Sequence, residues 1–330
     1  MKYQPPYTIT SKIIHLVAEI SENIGRLTVL EEIQNSLKLR KANRIRTIQG
    51  SLAIEGNTLS TEQITAILNG KTVIAPPKEV QEVRNAIKAY EAFQQWQPSQ
   101  EKDLLQAHQI LMTGLIDEIG QYRHGGVGVM SGDRVVHMAP PANQINRLMV
   151  DLLDWLNDSE VHPLIQSSVF HYEFEFIHPF ADGNGRMGRL WQTLILSRWN
   201  PIFANIPVES LIYQNQKAYY EALQVSTVRT DSAPFIEFIL QMILDAILSS
   251  NETAQANDHA TAQAGDHVQR LISAMKQGDY TFAELMQLVG LTHRATFQKN
   301  YLNPAIEAGL IERTIPDKPK SPKQKYRLKR

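Results

Sequence analysis

Residues 170–196 limit how this chain can fold more than any other segment. An aromatic-rich stretch, 170–177, and an apolar one, 190–196, flank a polar, glycine-rich run: His178-Pro179-Phe180-Ala181-Asp182-Gly183-Asn184-Gly185-Arg186-Met187-Gly188-Arg189. Downstream, Leu190-Trp191-Gln192-Thr193-Leu194-Ile195-Leu196 reads as a helix. Upstream, Phe170, Phe174 and Ile177 fit one helix face, although the alternating aromatics also fit a strand. The Gly-Asn-Gly turn therefore opens a helix and ties two core elements together.

That turn has a chemistry of its own. Unpaired N–H groups at a helix N-terminus, preceded by glycines, form an anion cradle. Arg186 and Arg189 could grip phosphate oxygens bidentately. Asp182 could hold a magnesium ion that bridges phosphates. His178, with an ordinary pKa of about 6.5, suits a general base. Phosphate-directed chemistry on a nucleotide is the expectation.

Two other readings share these residues. Gly183-x-Gly185-x-x-Gly188 matches the dinucleotide fingerprint, which requires a preceding strand and an acidic residue about 20 positions on; position 203 is Phe. His171 and His178 could share a metal, but no third ligand stands at a convincing spacing, so His171 reads as structural. Cysteine is absent, which removes thiol nucleophiles and Cys-zinc sites.

The run 178–189 resembles the Fic family signature, H-[PX]-F-x-[DE]-G-N-G-R-x-x-R, at every defined position. Gly120-Gln121-Tyr122-Arg123, Val127 and Ala139-Pro140-Pro141 resemble the family's segment leading into and through a target-docking flap. Leu152-Leu153-Asp154-Trp155-Leu156-Asn157 resembles the helix after it. The resemblance implies a mostly α-helical fold with a small β-hairpin flap. It implies a protein adenylyltransferase, which moves AMP from ATP to a Tyr, Ser or Thr hydroxyl of a target protein and releases pyrophosphate. On that resemblance His178 is the catalytic base, Phe180 anchors the loop, and Asp182 binds Mg2+. Gly183, Asn184 and Gly185 form the cradle, with Asn184 near the α-phosphate. Arg186 grips the phosphate chain, Met187 and Gly188 complete the ATP-binding turn, and Arg189 meets the γ-phosphate. Gly185 argues against the family's phosphotransferase branch, which carries lysine there.

A second motif lies upstream. Ser51-Leu52-Ala53-Ile54-Glu55-Gly56 matches the family's inhibitory pattern [ST]-x-x-x-E-[GN]; taken alone it would be a helix end capped by Gly56. The resemblance implies that Ser51, Glu55 and Gly56 form a brake. Glu55 would reach into the ATP site and pair with Arg189, misplacing the triphosphate. Low basal activity follows, with self-modification a candidate outcome. By the same resemblance the glutamate could also position a water that removes AMP from a modified target. By resemblance the adenine pocket involves 210–216, with Asn215 as a nucleotide contact and Tyr213 or Tyr219 walling the base; the Tyr219-Tyr220 pair could equally pack in the core. A hairpin is expected around Ser131-Gly132-Asp133. Its residues Val135, Val136, His137 and Met138 would be the flap on which a target strand adds by backbone hydrogen bonds.

Elsewhere helical periodicity dominates, through 13–37, 80–96, 145–156 and 235–248, with breaks at Pro76-Pro77, Pro98 and Pro140-Pro141. No apolar run of about 18 residues stands out, and the N-terminus lacks a signal-peptide core, so a cytoplasmic protein without a membrane span is expected. The division expected is a helical arm over 1–79, a catalytic core over 80–250, and a linker or solvated helix end over 251–265. A winged helix-turn-helix follows over 266–330. In that last unit Thr281 caps 282–289, Gly290 turns, and Thr292 caps a second helix towards Gly309, kinked or broken at Pro304. Strands 310–315 and 324–328 form the wing.

The net charge of -1 conceals an asymmetry: residues 266–330 hold 12 Lys/Arg against 6 Asp/Glu, and 7 of those basic residues lie in 316–330. A basic tail makes DNA a candidate partner, with Arg294, Gln298 and Lys299 exposed on the second helix. A docking or dimerisation module is the other reading, and homodimers are common among the proteins it resembles. The function outside adenylyl transfer would be a nucleotide-sensing, DNA-binding regulator.

Overall fold

Apolar side chains spaced for helices can reach one core only if the helices pack face to face, and the computed structural model is built on that logic. The structure describes residues 2–34, 37–126, 128–131, 134–276, 278–307, 309–319, 321 and 323–329. For 28–34, 37–39, 128–131, 134–138, 251–266 and 307 it describes the backbone alone.

The chain falls into two compact units, Met1–Ser250 and Asn251–Arg330. In the first, α1 (Ser11–Gln34) and α2 (Leu37–Ile54) precede α3 (Thr61–Leu68), α4 (Pro77–Ala92) and α5 (Glu101–Met112). A hairpin of β1 (Gly128–Ser131) and β2 (Arg134–Met138) follows, then α6 (Ile145–Asp158), α7 (Pro163–Ile177), α8 (Asn184–Trp199), α9 (Val208–Gln214) and α10 (Gln216–Arg229). α11 (Ala233–Ala274) carries the boundary between the units. Turn chemistry sets several starts. Ser60 and Gln63 close a capping box on α3. Pro77 and Pro163 occupy the first turns of α4 and α7, where a missing N–H costs nothing.

α7 and α8 form the centre of the first core. Phe170, Phe174, Leu190, Trp191 and Leu194 are fully buried, each side chain contributing about 1.5–3 kcal/mol relative to exposure. The stretch 170–177, which fitted a strand or a helix, is helical, and Glu173 and His171 are buried with it. This removes the strand that a dinucleotide fingerprint needs. In the hairpin β1 and β2 pair antiparallel, with a register shift between Val129 and Met130. Val127, Gly132 and Asp133 lie outside the described residues.

Segment 251–265, expected as a linker or solvated helix end, is helical as part of α11. It has no apolar stripe, but Ala, Gln and Glu are good helix formers and no proline interrupts it. Residues 233–250 of this helix are apolar and long enough to reach across a membrane, which the run of hydropathy had not suggested. Phe235, Ile236, Ile239, Leu240, Ile243 and Ile247 are instead all buried in the first core.

In the second unit, α12 (Phe282–Leu288) starts at a Thr281–Glu284 capping box. α13 (Arg294–Phe297) is capped by His293, whose Nδ1 accepts from Thr296 N–H, and not by Thr292 as expected. The chain then widens into a π turn over 298–302 before α14 (Asn303–Glu307), so Pro304 sits in a first turn and breaks nothing. β3 (Ile311–Arg313) and β4 (Tyr326–Leu328) pair antiparallel. Leu271, Leu285, Phe297, Tyr301 and Ile311 fill a separate core.

Candidate active site

The loop between α7 and α8 is over-determined by its neighbours. His178 ends α7 in the left-handed region (φ 51°), a conformation uncommon for a residue with a Cβ. Its N–H still donates to Phe174 O at 2.9 Å. Gly183 (φ 85°) turns the chain into α8. A Cβ at 183 would lie 2.6 Å from Met112 Sδ, so any larger residue would also have to move that side chain. Asn184 is buried, and its amide closes the loop: Phe180 N–H donates to Oδ1 and Nδ2 donates to Phe180 O, both at 2.9 Å. The Asn184 side chain, expected near an α-phosphate, is therefore engaged in holding the turn.

Two residues outside the run hold the same loop. His108, on α5, lies fully buried and stacks flat on Phe180 at 3.7 Å. Gly120 N–H donates to its Nδ1 at 3.0 Å, so its Nε2 carries the proton and donates to Asp182 O at 3.0 Å. Burial pushes this histidine down to about 4, consistent with a neutral ring. Arg123 is buried too, and its guanidinium donates to the carbonyls of His178 (2.7 Å), Gly125 (2.6 Å) and Pro140 (2.7 Å). Sequence reasoning quoted Arg123 within a matching segment and missed His108 altogether. Bonds to backbone carbonyls leave no trace in residue type.

The cradle over Gly185 already holds an anion. Arg189, almost fully buried, donates through Nη2 to Glu55 Oε1 at 2.6 Å and to Ser51 O at 3.0 Å, and through Nε to Ser51 Oγ at 3.2 Å. Burial is the largest influence on Arg189 and opposes its charge, but Glu55, Tyr219 and Glu175 together outweigh it and hold the guanidinium above its ordinary pKa. A Cβ at Gly185 would overlap the Glu55 carboxylate. Gly56 (φ 90°) turns the chain just after α2 and so ends the helix at the right place for this reach. Asn57 then donates to Glu82 Oε2 at 2.8 Å, and Glu82 faces Arg186 at 3.6 Å.

Arg186 also donates to Asp182 Oδ1 at 3.2 Å, while Gly183 N–H donates to the same oxygen at 2.6 Å. The Asp182 carboxylate is half exposed, and its Oδ2 makes no hydrogen bond to the described residues. No group of three or more His, Asp or Glu side chains converges on one point among the described residues. The exposed Asp182 oxygen suits Mg2+, which is commonly bound through one or two carboxylates together with substrate phosphates.

Behind the loop lies a buried polar layer. Glu175 has one oxygen 3.9 Å from His178 Nδ1 and the other 3.8 Å from His171 Nε2, and burial lifts its carboxyl to about 8. His178 Nδ1 also lies 3.4 Å from Glu175 O, so a proton there would point at a carbonyl and leave Nε2 as the basic nitrogen. His171 is fully buried, 2.6 Å from Gln192 Oε1 and 3.2 Å from Tyr219 OH, and is held down to about 3 by burial and by Arg189. It is a structural histidine.

The remaining expected residues are more dispersed. Met187 and Gly188 are buried in the first turns of α8; a Cβ at Gly188 would crowd His171. Tyr213 and Asn215 are exposed at the α9–α10 junction, where Asn215 Nδ2 donates to Leu211 O at 2.9 Å. Tyr219 is buried against His171 and Phe235 and cannot wall a ligand. Val135, Val136, His137 and Met138 form β2, for which only the backbone is described.

The loop lies within a segment that matches a known family. Residues 98–196 match the model of the Fic/DOC family, and 266–329 match that of the Filamentation induced by cAMP protein Fic-like, C-terminal domain. The chain is similar to the solved structure of a Fic family protein from Desulfovibrio desulfuricans G20. The two are 56% identical over 99% of this chain and 98% of that one, with a TM-score of 0.76. It is 30% identical over 221 residues to a protein named Protein adenylyltransferase Fic from Aedes aegypti, covering 62% of this chain and 42% of that protein. A protein of the same name from Nematostella vectensis is 30% identical over 65% of this chain and 52% of its own length. The chain thus spans about half the length of the curated relatives it matches.

Proposed function

Because the chain belongs to the Fic family, we propose that it is a protein adenylyltransferase, held in check by its own Glu55. The observation that carries this reading is the Glu55 carboxylate lying against Gly185 and bonded to Arg189 at 2.6 Å. A site that binds a carboxylate between a guanidinium and a helix N-terminus has the electrostatics for a phosphate. The names of its relatives point the same way.

In the proposed reaction a protein hydroxyl attacks the α-phosphorus of ATP, and the bond to the β-phosphate bridging oxygen breaks. His178 Nε2 takes the hydroxyl proton, and pyrophosphate leaves. Arg186 and Arg189 orient the phosphate chain, and the N-terminus of α8 faces the charge that develops on it. Asp182 would hold Mg2+, which supplies charge neutralisation for the leaving phosphates. The flap hairpin 128–138 would carry the target segment as an added strand. With Glu55 on Arg189, the γ-phosphate loses its partner and the α-phosphate is out of line with the hydroxyl.

The test is to incubate the Glu55→Gly protein with ATP and Mg2+ in a cell lysate and to search the proteins by mass spectrometry. Adenylyl groups on Tyr, Ser or Thr, absent with Glu55→Gly/His178→Ala, support the reading. No adenylyl adduct on any protein, including the enzyme itself, would overturn it. Salt-dependent DNA binding without adducts would favour the nucleotide-sensing regulator instead.

A further inference from the structure

Arg123 is a buried cation for which the reaction gives no use. Its side chain is 3% exposed, and burial lowers its pKa from the ordinary arginine value. No carboxylate pairs with it among the described residues; its partners are carbonyl oxygens. A buried guanidinium without a counter-ion is costly unless its donors are well placed. Here the placement is specific. Nε donates to His178 O at 2.7 Å and Nη2 reaches Ile177 O at 3.4 Å, the carbonyls of the C-cap and the last residue of α7, where the helix dipole favours a positive charge. Nη1 donates to Gly125 O at 2.6 Å and Nη2 to Pro140 O at 2.7 Å. Those two carbonyls stand on either side of the hairpin, one before β1 and one after β2. The backbone joins in, since Arg123 N–H donates to Pro179 O at 2.9 Å.

We propose that Arg123 is a positioning residue that keys the flap to the catalytic base: one rigid fork holds both roots of the hairpin and the carbonyl of His178. The inference rests on the reading that a target strand docks on the flap and His178 deprotonates its hydroxyl. The alignment of that hydroxyl with Nε2 then depends on the spacing between the flap roots and residue 178, and Arg123 spans that spacing. Displacements of about 1 Å at this distance are enough to slow a reaction by two orders of magnitude. Lysine, with three donors on a flexible stem, cannot reproduce the fork. His108 fixes the opposite end of the loop, at Asp182 O, and touches neither flap root.

The experiment uses full-length protein carrying Glu55→Gly, and compares it with the same protein carrying Arg123→Gln or Arg123→Lys. Three quantities are measured: the rate of labelling from α-labelled ATP in lysate, ATP affinity by calorimetry, and amide exchange of 128–138. For Arg123→Gln we expect labelling to fall at least tenfold, ATP affinity to stay within twofold, and flap amides to exchange at least tenfold faster. Arg123→Lys should lie between the two and remains informative if the glutamine variant does not fold. A purely structural role would lower ATP affinity and labelling together and speed exchange throughout the unit. That outcome, or flap exchange unchanged in both variants, overturns the proposal. If the Glu55→Gly parent labels nothing, the adenylyl-transfer reading has failed, and the exchange measurement still decides whether Arg123 holds the flap.

Discussion

At Gly183 a single residue decides whether the loop can form. Its φ of 85° costs a residue with a Cβ about 1–2 kcal/mol. The added carbon would also lie 2.6 Å from Met112 Sδ. Gly183→Ala should therefore lower labelling by the Glu55→Gly protein more than tenfold and reduce the thermal midpoint by several degrees, as measured by label incorporation and calorimetry. Asn184→Ala would leave the Phe180 N–H and C=O buried without partners and should cost about 1–3 kcal/mol in a denaturant titration. The glycines and the two arginines could be read from the sequence because their chemistry follows from residue type and spacing. The side-chain role of Asn184 could not, since an amide that faces a phosphate and one that clamps a turn look alike in one dimension. Arg123 and His108 escaped for a related reason: their partners are carbonyls and N–H groups, which every residue carries.

Among the elements, α2 matters most, because it delivers Ser51 and Glu55 to Arg189. It is seated on α9 with almost no clearance. A Cβ on Gly50 would lie 2.6 Å from Glu209 C and Ser210 N, which are backbone atoms and cannot swing aside. Ser210 Oγ on α9 donates to Arg46 O at 2.9 Å, and Gln216 Nε2 at the start of α10 donates to Ile54 O at 2.7 Å, so α2 is pinned at both its middle and its end. Gly50→Ala should push α2 away from α9 and loosen the neighbouring Ser51. With Glu55 intact, initial labelling rates are expected to rise several-fold over wild type; added to Glu55→Gly, the change should give no further gain. The helix end and its glycine were legible from the six-residue pattern, and the pairing of Glu55 with Arg189 was implied by the family resemblance. The seat of α2 on α9 was not legible, because Gly50 reads as a poor helix former until the neighbouring backbone is seen. For segment 251–265, polarity without periodicity left a linker and a solvated helix end both open; residues of good helix propensity had no reason to break α11, and the segment is helical.

For the molecule as a whole, four buried groups tie stability to pH. His108 and His171 are held down to about 4 and about 3, chiefly by burial, whereas an unfolded histidine binds its proton near 6.5. The unfolded chain therefore takes up protons that the folded one refuses, and stability falls as pH drops below about 6.5. Glu173 and Glu175 run the opposite way. Burial raises them to about 7 and about 8, so the folded chain keeps protons that an unfolded carboxyl loses near 4.3, and stability falls as pH rises through that interval. Together they predict greatest stability between about pH 5 and 6. Glu175→Gln should flatten the alkaline side, which thermal denaturation across pH 4–9 would reveal. The mostly helical class and the basic C-terminal end were plain from periodicity and charge. The buried polar layer behind the loop was not, since burial is a property of the assembled fold. The central proposal is that Glu55 occupies the place of a phosphate on Arg189 and so restrains transfer by His178. The most direct measurement is the initial rate of adenylyl incorporation by wild type, Glu55→Gly and Glu55→Gly/His178→Ala at one ATP concentration. The account predicts at least a tenfold rise for Glu55→Gly and background for the double variant. Equal rates for wild type and Glu55→Gly, or incorporation that survives loss of His178, would contradict it.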